Sequence, residues 1–147
     1  MAEKLIRVGR VSSVNYEKGM IRVTYPDRDN SVTAEIPVFS FTDEYKMPAV
    51  GSNVLVLHLS NGAAAGVMMG HYWNASNLCP KTGADIFRKE LAQTYGEAYM
   101  EYEGSSRTLT IYADNIVLKS SGDITANGVS VPSHTHTAPD GETSGPN

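Results

Sequence analysis

Apolar and polar positions alternate along most of this chain, with the period of a β-strand rather than of a helix. Over Met20–Tyr25 the alternation puts Ile21, Val23 and Tyr25 on one face and Met20, Arg22 and Thr24 on the other. Before it, Leu5–Val11 leads into Ser13–Tyr16, and Glu17-Lys18-Gly19 supplies a turn with a glycine for positive φ. Pro26–Asn30 is a second turn, followed by a strand over Val32–Val38. Met47–Ser52 reads as a loop before a strand at Asn53–Leu59, and Asn61-Gly62 turns that strand into Ala64–His71. The small run Ala63–Gly66 has helical composition, but Gly62, Gly66 and Gly70 bracket it, so it reads as a strand packed closely against a neighbour.

Short strands at this spacing, without a 10–15-residue helical pattern between them, predict an all-β chain whose first part is a small closed barrel of the OB type. We set that domain at 1–80. A linker or extended connector follows over 81–95, where Phe87, Leu91 and Tyr95 have a four-residue spacing that leaves an extended segment and a short helix both open.

From Glu97 the alternation returns. Ala98, Met100 and Tyr102 share a face, and Glu103–Arg107 turns the chain. Leu109, Ile111 and Ala113 then alternate with Thr108, Thr110 and Tyr112. Ile116 and Leu118, then Ile124 and Ala126, continue the pattern between turns rich in Gly, Ser, Asp and Asn. This is the repetitive look of a β-solenoid or β-prism wall over 96–132. Burial is worth about 25 cal/mol per Å² of apolar surface, against about 1.5 kcal/mol of conformational entropy per ordered residue. A segment this short with a single apolar face must therefore bury that face against something. Identical copies about a threefold axis would do so without leaving strand edges open, and the reading is a homotrimer.

The formal net charge of −4 leaves no basic stripe of the kind that binds nucleic acid. Cys79 is the single cysteine, which excludes a disulfide framework and a cysteine-based metal site. The start MAEKLIRVGR has no apolar core and does not read as a signal peptide, so synthesis in the cytoplasm is expected. The apolar stretches fall short of the roughly 20 residues of a membrane-spanning helix.

Candidate chemistry concentrates in 133–147. His134 and His136 are two residues apart, so an extended backbone projects both imidazoles to one side. Two ligands underfill a metal site, whereas three chains meeting here supply six nitrogens, a set suited to an octahedral first-row ion such as Fe(II), Co or Ni rather than to zinc. Pro139, Gly141 and Gly145 would turn the chain back beyond the pair. No Ser/His/Asp set, phosphate-binding glycine loop or credible carboxylate pair is present. Glu142 is set too far from the histidines for a cupin-type site, so an enzyme is not expected.

Three stretches carry a family resemblance. RVGRVSSVNYEKGMIRVTYPDRDN with MPAVGSNVLVLHLSNGAAAGVMMGHYW resembles the OB domain of the phage baseplate assembly protein V family, the central spike of contractile tails. YGEAYMEYEGSSRTLTIYADNIVLKSSGDITANG resembles that family's intertwined triple-stranded β-helix, and VPSHTHTAPDGETSGP its apex. The resemblance implies a trimeric, non-enzymatic spike of a virion or phage-tail-like particle, such as a bacteriocin, that punctures the target cell envelope. It implies one iron ion (Fe2+/Fe3+) per trimer, held by His134 and His136 of three chains, with Pro139, Gly141 and Gly145 shaping the tip. The broad end would face hub and tail-tube proteins, with Pro26, Asp27, Arg28 and Asp29, and the loop Ser40–Lys46, as candidate contacts. The competing expectation is an OB module that binds a glycan or oligonucleotide on Tyr16, Tyr25, Tyr72 and Trp73, with the β-region as a trimerisation stalk.

Overall fold

A computed structural model describes residues 5–59, 66–135, 137–139 and 141–142. The described residues are all-β, without a helix, and are arranged in several antiparallel sheets. Two compact units divide between Asp114 and Asn115.

The first unit begins with β1 (Ile6–Asn15) and β2 (Met20–Tyr25), an antiparallel pair joined through Gly19 at φ 62°. The register pairs Val11 with Val23 and Val14 with Ile21, and it slips between Val11 and Ser13. At that bulge the Ser12 hydroxyl donates to the Arg22 carbonyl. A bulge bends and twists its strand, which lets one long strand serve two neighbours. The other end of β1 pairs with β5 (Asn53–His58), and β5 with β6 (Gly66–His71).

The strand expected over Val32–Val38 is broken in two, β3 (Ser31–Val32) and β4 (Ile36–Pro37), both laid on β2. The cause is local. The Thr33 hydroxyl accepts the Val23 N–H at 3.0 Å, where a strand would have offered a carbonyl, and Pro37 has no N–H to give. Beyond Pro37 the chain reaches β6: Val38 forms a parallel bridge with Met68, and the Phe39 N–H donates to the Met68 carbonyl at 2.8 Å. The path β3-β2-β1-β5-β6 thus returns to the β4 side and closes on itself.

Inside the closure lie Val11, Ile21, Val23, Tyr25, Ile36, Val54, Val56 and Met68, with Met47 added from the loop after β4. Ile21, Val23 and Tyr25 are the alternate positions of β2, buried together as their spacing predicts. The Tyr25 hydroxyl finds His58 Nε2 at 2.7 Å, so its polar atom is satisfied inside an apolar wall.

Within the same unit, β7 (Ile86–Glu90), β8 (Tyr99–Glu103) and β9 (Thr108–Tyr112) form an antiparallel three-stranded sheet. Of the two conformations left open for the connector, the extended one holds over Ile86–Glu90. In the second unit, β10 (Thr125–Ala126) and β11 (Val129–Ser130) make a hairpin through Asn127 and Gly128, at φ 50° and 81°. An Asn-Gly pair with both φ positive is the turn whose twist matches two antiparallel strands. β12 (Thr137–Ala138) pairs with β13 (Gly141–Glu142). The alternating residues Ile116 and Leu118 do not form a ladder: no described strand spans 115–123, and Ile116, Val117 and Leu118 are exposed. Alternation alone makes no strand without a partner, and the hairpin turn that would supply one lies further on, at Asn127-Gly128.

Candidate functional site

The hairpin β10–β11 orients one of the two candidate ligands. The Val131 N–H donates to the Ile124 carbonyl at 2.7 Å, extending the ladder by a residue past Ser130. Asp123 braces the hairpin, accepting from the Ser130 hydroxyl at 3.0 Å and the Ile124 N–H at 2.8 Å. The Ser133 N–H in turn donates to the Ser130 hydroxyl at 3.1 Å. This sets the Val131 carbonyl 3.0 Å from Nδ1 of His134, which is half-buried. A carbonyl only accepts, so Nδ1 of His134 donates in this bond. Metal-bound imidazoles have this arrangement: one nitrogen donates to a backbone carbonyl, and the other takes the metal. The donor chemistry of His134 therefore fits a metal ligand.

His136 and Gly145 lie outside the described residues. Pro139 is exposed in the connection between β12 and β13, and Gly141, at φ 131°, pairs with Ala138. Among the described residues no group of three or more His, Cys, Asp or Glu side chains is placed to hold a metal ion.

The three-stranded sheet has two unlike faces. Register pairs Arg88 with Glu101, Glu90 with Tyr99, and Tyr99 with Tyr112, so these side chains share one side. There Glu101 is buried and accepts from Lys81 at 2.6 Å and Arg88 at 2.8 Å. Arg88 also pairs with Glu90 at 2.6 Å and lies over the Tyr99 ring at 3.6 Å from its centroid. The hydrogen bonds from Lys81 and then Arg88 hold the Glu101 carboxyl below the usual range. Burial pushes the Glu90 carboxyl up, but the Gly96 N–H and Arg88 outweigh it and leave it below the usual range too. The opposite face carries Phe87, Tyr102, Leu109 and Ile111, with exposures of 57%, 39%, 61% and 51%, and in the same registers Met100 and Lys89, the latter paired with Glu44.

The turn Pro26–Asp29 stands out from the barrel on two backbone hydrogen bonds, Arg28 N–H to the Tyr25 carbonyl and Ser31 N–H to the Arg28 carbonyl. Asp27 is 3.4 Å from Arg7, and Pro26, Asp27, Arg28 and Asp29 are all exposed. Of the aromatic residues considered for a stacking face, Tyr25 is withdrawn from it: the residue is 5% exposed, inside the barrel. Tyr16, Tyr72 and Trp73 are exposed, and Trp73 meets His71 and Tyr95 edge-on.

Sequence reasoning overlooked the Arg88–Glu101–Lys81 cluster. Its signal was partly present: Glu101 and Glu103 alternate with Met100 and Tyr102 and so share a face, whereas Lys89 between Arg88 and Glu90 puts charge on both faces of β7 and hides the pattern. No protein-family model and no curated protein matches the chain.

Proposed function

We propose that this chain is the subunit of a homotrimeric central spike at the tip of a contractile-tail baseplate. In this reading it punctures the target cell envelope mechanically and is not an enzyme. The apolar face Phe87, Tyr102, Leu109 and Ile111 carries the proposal. Beyond Lys89, which pairs with Glu44 at one end, these four side chains leave apolar surface to water, and burying it is worth about 25 cal/mol per Å². Three copies of the chain would cover one another's faces, wound through 96–132 as an intertwined triple-stranded β-helix.

The closed path of β1 to β6, with its parallel return between Val38 and Met68, supports an OB barrel as the broad end. Hub and tail-tube proteins would dock there, on the turn Pro26–Asp29. At the narrow end His134 and His136 of three chains would bind one iron ion. The Nδ1–H bond from His134 to Val131 supports this part of the reading. The ion would tie three chain segments together at the point where load is applied.

Sizing by light scattering, with elemental analysis of the same sample, tests the proposal. A mass of three chains with about one iron per trimer is expected; a monomer, or one ion per chain, overturns it. The second reading, a glycan- or oligonucleotide-binding OB module, draws on exposed Tyr16, Tyr72 and Trp73. Saturable binding of an oligosaccharide or single strand at low salt, abolished by Trp73→Ala, would favour it.

A further inference from the structure

A groove of about 720 Å³ opens between the loop after β4, Arg10 in the middle of β1, the end of β6 and the β7–β8 connection at Gln93 and Tyr95. That volume is in the range of small-ligand sites. Its walls are held in place by contacts between distant parts of the chain. Gln93 Nε2 donates to the Met47 carbonyl at 2.6 Å, Lys46 donates to the Glu90 carbonyl, and Glu44 pairs with Lys89. Phe39 and Phe41 meet edge to face at 4.8 Å on one side, and Met68 lies beneath. Both phenyl rings are well exposed, at 44% and 57%.

The charges lining the groove do not balance. Arg10 and Lys46 are its cations. Among the described residues its one lining carboxylate, Glu44, is taken by Lys89, and the neighbouring Glu90 by Arg88. Arg10 makes no ion pair among the described residues. We propose that this groove binds an organic carboxylate with an apolar, preferably aromatic, body: the carboxylate between Arg10 and Lys46, the body against Phe39 and Phe41. A guanidinium pairs with a carboxylate through two parallel hydrogen bonds, and an edge-to-face phenyl pair leaves ring surface for a third aromatic group. Burial holds the Lys46 ammonium below its ordinary range, so an arriving anion would relieve a cost already present.

The same chemistry can come from a free small molecule or from the C-terminal carboxylate of a polypeptide ending in an aromatic residue. Trp73, the sole tryptophan, contacts Tyr95 of the groove wall and serves as a fluorescent reporter. The full chain is titrated with phenylacetate, its neutral analogue phenylacetamide, and the tetrapeptide acetyl-Gly-Gly-Gly-Phe with a free or amidated end. Saturable binding of an acid at least tenfold tighter than its amide is expected, lost at least tenfold in Arg10→Gln with Lys46→Gln and retained in Lys18→Gln. Tighter binding of phenylacetate assigns a free molecule as ligand, and tighter binding of the tetrapeptide assigns a chain end. Equal affinity for acid and amide, no saturation by either acid, or full binding by the double variant overturns the proposal. Circular dichroism on each variant separates loss of binding from loss of fold.

Discussion

Gly9 leaves the space that Tyr25 fills: a β-carbon at Gly9 would lie 2.8 Å from Cε1 of the tyrosine and would press on Val23 as well. Gly9, Val23 and Tyr25 are all buried where β1 lies beside β2, so none can retreat toward solvent. Gly9→Ala therefore overpacks the barrel. We expect a loss of about 1–3 kcal/mol, read from urea unfolding of the full chain. An unchanged midpoint would mean that the wall gives more readily than its packing indicates.

Acid should loosen the three-stranded sheet. Glu101, held by Lys81 and Arg88, and Glu90, held by the Gly96 N–H and Arg88, both have folded-state values below the ordinary 4.5. A depressed carboxylate stabilises fully above its unfolded value, and that contribution is lost as pH falls through the folded value. The melting temperature is expected to be level from neutral pH down to the ordinary carboxylate value, then to fall. In Glu101→Gln the neutral-pH plateau drops and the acid slope becomes shallower, which thermal melts across the pH range will read directly.

The apolar side of the same sheet gives an independent handle. Leu109→Glu or Ile111→Glu places a charge where three copies would meet, and a buried unpaired charge is strongly unfavourable. Each variant is expected to run as a monomer in light scattering, with the barrel's own unfolding transition kept. A trimer that survives both changes would place the association elsewhere.

On the proposed reading, replacing both histidines, His134→Ala with His136→Ala, should abolish metal binding and leave a trimer, because the apolar sheet face would bury the larger surface. Elemental analysis and sizing on the same fractions check the two halves of that statement. Dissociation to monomer would mean that metal binding, not the sheet face, drives assembly.

Much of the barrel was legible because its information is local. The period-two pattern of Ile21, Val23 and Tyr25 names the buried face of β2, and Gly19 marks the turn before it. The break between β3 and β4 was not legible, since it depends on Thr33 reaching Val23 ten residues away. Phe87, Leu91 and Tyr95 have helical spacing, yet Ile86–Glu90 is a strand because Arg88 finds Glu101 and Tyr99 across the register. Such cross-strand pairing is invisible to any single window of sequence. At the candidate metal site the residue types were plain in the sequence. The bond from His134 Nδ1 to Val131 was not, since it follows from a hairpin at Asn127-Gly128 that the alternation around it obscured.

The parallel bridge between Val38 and Met68, with the Phe39 N–H beside it, closes a ring whose other seams are runs of antiparallel pairs. Bonds in a run share a pull, and a solitary one takes it alone. This junction is a clasp on a hoop, a single bridge where the other seams are runs of pairs. The ring should come undone there first, under force or heat, with the Phe39 amide exchanging its hydrogen ahead of the strands around it. The clasp thus sets the order in which the barrel fails.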